Sequence, residues 1–151
     1  MKQAGFKQTE LYLLHEIVIR LDRLARESIL EPEGITYAEF LVLMATRELP
    51  SPSQEEVGAF IDMSKSLVSQ RVSPLMKKGL LRQEEDAENR RRVRLALSPK
   101  GLQVVERIYG TMEESTEPLF AALGKMRPAF RQSLATMAEE LSKEEGVARP
   151  E

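Results

Sequence analysis

The sequence predicts a mainly α fold with one small β-hairpin, an α+β chain in which a winged helix-turn-helix is flanked by dimerisation helices. Three observations carry this. Residues 53–98 run as a short capped helix, a tight turn, a second helix with a polar start, a strand, an arginine-tipped loop and a return strand. On either side, apolar residues recur at spacings of three and four, the period of a helix with one buried face. Hydrophobic residues make up 42% of 151, enough for a real core and too many for wholesale disorder. The expected organisation is an N-terminal dimerisation helix (1–35), the winged unit (36–98) and C-terminal dimerisation helices (99–151).

Leu11, Leu14, Val18, Leu21 and Ala25 mark a helix from Leu11 to near Leu30. A second apolar set, Leu13, Ile17 and Leu24, lies off that stripe, so the helix needs cover on more than one side, and a partner subunit is the natural cover. Glu31-Pro32-Glu33-Gly34 breaks it. Thr36-x-x-Glu39 is a capping box for a helix over Tyr37 to Arg47, with Phe40, Leu41, Leu43 and Met44 as core, ended by Leu49-Pro50-Ser51-Pro52.

Ser53-x-x-Glu56 is a second capping box, and Val57, Phe60 and Ile61 supply the apolar face behind it. Gly58 allows a close helix crossing, and Asp62 tolerates the left-handed backbone a tight turn needs. Ser64 caps the next helix, whose expected buried face is Leu67, Val68, Val72, Leu75 and Met76; Pro74 should bend or distort it. Lys77-Lys78-Gly79 closes it with positive charge and a glycine cap. Leu80 to Glu84 and Val93 to Leu97 suit two antiparallel strands around a wing loop, Asp86 to Arg92.

Ser98-Pro99 starts a helix through Leu102, Val105, Tyr109, Met112 and Leu119, with Pro118 expected to kink it or mark a boundary. Gly124 breaks the chain before a last helix from about Pro128 that uses Phe130, Leu134, Met137, Ala138 and Leu141. A frayed tail is expected from Gly146 to Glu151.

Charge is distributed unevenly. Lys65 to Arg94 holds nine basic and four acidic residues, a net +5 in a chain of net charge −2. A basic segment on an acidic body is the footprint of a protein that meets a polyanion with one face. The early part of the second central helix offers Ser64, Lys65, Ser66, Ser69, Gln70 and Arg71. Glutamine pairs with adenine, arginine with guanine, and serine or lysine reaches bases or phosphate. Arg90, Arg91 and Arg92 on a hairpin tip stabilise a fold poorly but suit a narrow, electronegative minor groove. Together these residues point to double-stranded DNA.

Other classes find little support in the residues. The chain has one histidine and no cysteine, and shows neither a glycine-rich phosphate loop nor clustered metal ligands, so no enzyme, metal or cofactor is expected. No apolar run is long enough to span a bilayer and the amino terminus leads into no signal core, which makes a cytoplasmic protein with no membrane partner the expectation. The alternative is a winged-helix interaction module without DNA binding, which should show an acidic or apolar recognition face.

The order of elements, with Leu-Met-Lys-Lys-Gly-Leu-Leu-Arg (75–82) and Asp-Ala-Glu-Asn-Arg-Arg-Arg-Val-Arg-Leu-Ala-Leu-Ser-Pro-Lys-Gly (86–101), resembles the MarR family of bacterial transcriptional regulators over nearly the whole chain. The resemblance implies a homodimer, triangular in outline, whose first and last helices interleave and whose recognition helices read halves of a pseudo-palindromic operator. It commonly implies repression, and in many members a small aromatic effector that weakens DNA binding. The family's wing usually carries an aspartate two residues before the arginine that enters the minor groove; Asn89 holds that place here, with Arg91 the matching arginine. Orientation of Arg91 must then rest on a neutral hydrogen bond or on Asp86. Oxidant sensing through a first-helix cysteine does not apply. By their place in the chain, His15, Tyr37, Phe40 and Met44 are the candidates to line an effector pocket where the dimerisation helices meet the DNA-binding lobe, with ordinary core packing the competing reading.

Overall fold

Six α-helices and one hairpin make up the regular structure of a computed structural model that describes residues 5–147. They are α1 (Glu10–Leu24), α2 (Tyr37–Glu48), α3 (Gln54–Ile61), α4 (Lys65–Lys77), β1 (Leu81–Glu85), β2 (Val93–Leu97), α5 (Pro99–Ala121) and α6 (Arg127–Val147). The mainly α architecture with a small hairpin is the one expected from sequence, with β1 shifted by one residue. The chain divides into two units, one ending at Met112 and the other beginning at Glu113. Of the expected frayed tail, Gly146 and Val147 complete α6 and the remainder lies outside the described residues.

Side chains set each boundary in the first unit. Thr36 and Glu39 form the reciprocal capping box of α2, and Ser53 and Glu56 that of α3. Asp62 turns the chain between α3 and α4 at φ 55, and Ser64 Oγ accepts the Leu67 N–H to cap α4. Gly79, at φ 72, ends α4 in a Schellman arrangement: Leu80 N–H donates to Leu75 O and Gly79 N–H to Met76 O, with Leu75 and Leu80 both buried. Gly34 repeats the device after α1, with Ile35 N–H donating to Leu30 O.

One detail of the first helix departs from expectation. Beyond Leu24 the first helix widens into a π turn, Ala25–Leu30, before a 3-10 turn at Glu31–Glu33. Helix α4 runs past Pro74 and closes at Lys77, where the sequence places its end. The carbonyl deprived of a donor by Pro74 belongs to Gln70, an exposed residue. Pro118 likewise lies inside α5, and the boundary between the two units falls earlier.

The core is built on α2, whose Phe40, Val42, Leu43 and Ala45 pack with Val57 of α3, Val68, Val72 and Leu75 of α4, Leu81 and Leu95 of the hairpin, and Val104, Val105 and Ile108 of α5. Four residues expected in the core are not in it: Phe60 is 55% exposed, Leu67 and Met76 are exposed as well, and Leu41 is half-buried and outside the core cluster. The helical stripe drawn from periodicity was wider than the contact that α2 offers. On α1 no residue is buried at all, and Leu11, Leu13, Ile17, Val18 and Leu24 are exposed. In the second unit Leu134, Met137 and Leu141 of α6 are exposed too.

The hairpin pairs in strict antiparallel register, Leu81 opposite Leu97 and Glu85 opposite Val93. Its base is stitched to the end of α4: Ser98 N–H donates to Leu80 O, and Ser98 Oγ donates to Gly79 O while accepting the Gly101 N–H. A Cβ on Gly101 would overlap the Leu80 carbonyl, so only glycine lets α5 start this close to β1. Gly58 is similarly constrained. The nearest obstacle is the Met63 carbonyl in the turn, with Val68 of α4 the second contact, so the turn rather than the helix crossing is the tighter limit.

This geometry sets an expected outcome. Gly58→Ala improves intrinsic helix propensity by about 1 kcal/mol, yet the Cβ must push backbone aside, at a cost of about 1–3 kcal/mol. The net effect is destabilisation, read as a lower urea midpoint with unchanged m; a midpoint equal to or above that of the parent would contradict the crowding.

Candidate nucleic-acid interface

Ser66, Ser69, Gln70 and Ser73 are exposed at spacings of three and four, which aligns them along one side of α4. Ser73 was not singled out from the sequence, although the same spacing points to it. Ser64 stays at the cap, its oxygen engaged with the Leu67 N–H. Arg71 turns away from that side: it is half-buried, and its charge acts on the buried carboxylate of Glu39.

Glu39 links the recognition helix to α2. Burial pushes its carboxyl up, but the Lys78 ammonium at 2.8 Å, the Thr36 N–H and the charge of Arg71 outweigh that and hold it below the ordinary carboxylate range. Lys78 Nζ also donates to Gly34 O, so the carboxyl end of α4 is tied to the turn that follows the first helix.

The wing is ordered by its own side chains. Asp86 Oδ1 accepts the Glu88 N–H at 2.9 Å, Asn89 Oδ1 accepts the Arg91 N–H at 3.1 Å, and Asn89 O accepts the Arg92 N–H at 2.8 Å. Asn89 therefore places Arg91 through the main chain, by a neutral hydrogen bond, in a local turn that needs no ion pair. Asp86 is committed elsewhere. Its carboxyl is held low first by the Glu88 N–H; burial opposes this, and the hydrogen bond and charge of Arg94 add to the lowering.

Arg94, counted in the sequence only as one positive charge among nine, is the anchor of the wing. Its Nε donates to Asp86 Oδ2 at 3.0 Å, and its Nη1 to Glu56 Oε2 at 2.7 Å and to the Ser51 carbonyl at 3.3 Å. Ser51 sits at φ 48, a left-handed conformation uncommon for a residue with a side chain, and the next carbonyl, Pro52 O, accepts the Leu95 N–H at 2.8 Å. One guanidinium thus joins the hairpin to the start of α3. No sequence signal separated it from its neighbours, because its partners lie 8 and 38 positions away.

Pairing changes what the positive segment presents. Lys65, Lys78, Arg82 and Arg94 each meet a carboxylate. The other basic residues of the segment, Arg71, Lys77, Arg90, Arg91 and Arg92, have no ion pair among the described residues, and the last three are exposed side by side on the wing. Between the wing and the start of α4 lies an open cleft lined by Gln54, Glu55, Lys65, Arg91, Arg92 and Val93, with the α3 capping box at its edge. Gln54 and Glu55 line this cleft, and neither is among the DNA-contact candidates read from the sequence.

The effector candidates are not gathered as a group. His15 lines a shallow hollow on α1 with Tyr12, Glu16, Ile19, Arg20 and Arg23, whereas Phe40 is in the core and Met44 packs against it. Tyr37 is exposed, its ring 6.4 Å from that of Phe40. Among the described residues no group of histidine, cysteine and carboxylates forms a metal site, and no helix is long and apolar enough to cross a membrane.

Residues 33–92, from the turn before α2 to the wing, match the model of the MarR family. Over those residues the lobe is similar to that of MarR-family transcription regulators. Similarity to solved structures extends beyond it. MarR itself is 26% identical with a TM-score of 0.70, over 89% of this chain and 99% of that one. BpsR of Bordetella bronchiseptica, whose DNA binding is regulated by 6-hydroxynicotinic acid, is 25% identical with a TM-score of 0.72, over 93% and 97%. The transcriptional repressor CouR, bound to a 23-mer DNA duplex, shares the fold at 23% identity and a TM-score of 0.77, over 91% and 98%. No curated protein matches the chain.

The Arg94 network has a pH signature. Asp86 titrates below the range of an unfolded aspartate, so its contribution is fully present above that range and is lost as pH falls through the lowered value. The Glu88 amide resonance should hold steady at neutral pH and move only in strong acid. In Arg94→Met the transition should shift upward and the amides of 86–92 should exchange faster, measured by NMR; an unaltered titration would remove Arg94 from the wing's support.

Proposed function

We propose that this protein is a sequence-specific regulator of transcription that binds a pseudo-palindromic operator as a homodimer, most simply as a repressor in the cytoplasm, and that a small aromatic effector releases it. It acts by binding rather than by catalysis. The observation that carries the reading is the wing: Arg90, Arg91 and Arg92, unpaired and exposed, beside a helix face of Ser66, Ser69 and Gln70. An interaction module would favour an acidic or apolar face, and this one is neutral to cationic.

The two contact elements divide the work. The face of α4 enters the major groove, where Gln70 reads an adenine edge and the serines reach bases or phosphate. The wing places Arg91 in the neighbouring minor groove, with Arg90 and Arg92 on the flanking phosphates. A second copy supplies the other half-site about 34 Å away, one turn of DNA.

The uncovered apolar surface of α1 and of α6 supports dimerisation. An effector that altered helix crossing in the dimer would change the spacing of the two α4 helices and hence the affinity. By their place in the chain His15, Tyr37, Phe40 and Met44 remain the effector candidates, of which Phe40 needs a rearranged core to be reached.

Two substitutions test the division, on operator fragments selected from the source genome. Arg91→Ala weakens binding and lowers the salt slope by about 0.9 per lost phosphate contact in each subunit, since fewer counterions are released. Gln70→Ala instead relaxes base preference by about 1–3 kcal/mol at one position of each half-site. Full affinity and slope in the first variant, or unchanged base preference in the second, rejects the corresponding role.

A further inference from the structure

The cleft between α4 and the wing holds a carboxylate where a DNA-binding surface should be least acidic. Glu55 Oε1 lies 2.8 Å from Lys65 Nζ, and both side chains are well exposed. The capping of α3 does not need Glu55, because Glu56 performs it. Glu55 is held below the ordinary carboxylate range first by the hydrogen bond from Lys65, then by its charge, with Arg92 adding to the effect, so it stays ionised at neutral pH.

Groove geometry says what must pass there. If α4 lies in the major groove and the wing in the adjacent minor groove, one sugar–phosphate strand separates the two grooves and crosses between the elements. In this protein that space is the cleft lined by Glu55, Lys65, Arg91 and Arg92. A phosphate arriving there meets two arginines without ion pairs and a lysine already occupied by a carboxylate. Glu55 occupies the lysine as a phosphate oxygen would.

We propose that Glu55 restrains sequence-independent DNA binding by holding Lys65 away from the phosphate that passes the cleft. The inference rests on the DNA-binding reading above. Phosphate contacts supply nearly all of the affinity for random DNA, whereas base contacts add to them only on the operator. A carboxylate at the backbone crossing therefore subtracts from the term that every duplex shares. What remains depends more on Gln70 and the wing arginines.

The test measures affinity of the full chain for a labelled duplex of random sequence across a salt series. Glu55→Gln should bind about fivefold tighter at low salt, the effect of relieving one surface charge pair. Its salt slope should steepen by about 0.9 per subunit as Lys65 becomes available to a phosphate. Adding Lys65→Gln in that background should abolish most of the gain, while thermal melts verify folding. Equal or weaker binding by Glu55→Gln overturns the proposal, as does a gain that survives loss of Lys65. Failure of the parent protein to bind any duplex overturns the DNA-binding reading and this inference with it, whereas binding by the parent with no gain in the variant overturns only the inference.

Discussion

The guanidinium of Arg94 is the contact on which the geometry of the wing depends. A two-stranded hairpin is marginal by itself, and a loop tipped with three like charges is driven apart by their repulsion. Arg94 counters both by gripping Asp86 at the base of the wing and Glu56 at the first turn of α3. Glu56 is meanwhile held by the Ser53 N–H, so the same carboxylate serves helix start and wing anchor. The hairpin, the start of α3 and the strained Ser51 are thereby fixed as one body, and the arginines of the tip are left to point outward.

A parallel arrangement secures the other end of the recognition helix. Leu80 and Ser98 bind the base of the hairpin to the Schellman turn at Gly79, and Lys78 reaches back to Glu39 and Gly34. Glu39 is costly to bury alone, and its ammonium partner together with the Thr36 N–H offsets that cost. Helix α4 is therefore held at its carboxyl end by charge-assisted hydrogen bonds and along its length by Val68, Val72 and Leu75. A helix so fixed presents its polar side in one orientation, which base readout requires.

Helix α1 has the opposite character. None of its residues is buried, and a helix without buried side chains draws little stability from its own chain. Its apolar residues lie on more than one side, as the two interleaved sets of leucines and isoleucines indicated. The π turn at Ala25–Leu30 brings Ile29 and Leu30 into the core directly after the exposed part, a change of environment within one turn. The bidentate pair of Arg107 with Glu33 then holds the 3-10 turn that follows.

Much of this was legible in the sequence because its causes are local. Capping boxes, the left-handed Asp62, the glycine ends of helices and the alternation of β2 each depend on residues within a few positions of one another. Those signals determined the element order, the fold class and the basic tip of the wing. Only the tertiary structure decided which apolar residues are covered, since Phe60, Leu67 and Met76 keep helical spacing but find no neighbour. The same holds for charge: Arg94, Lys78 and Lys65 look like free cations until distant carboxylates are brought to them, whereas no carboxylate comes within ion-pair distance of Arg90 to Arg92. Spacing along a chain records what a residue's immediate neighbours permit, whereas burial and pairing depend on which remote groups the packing of α2 brings within reach.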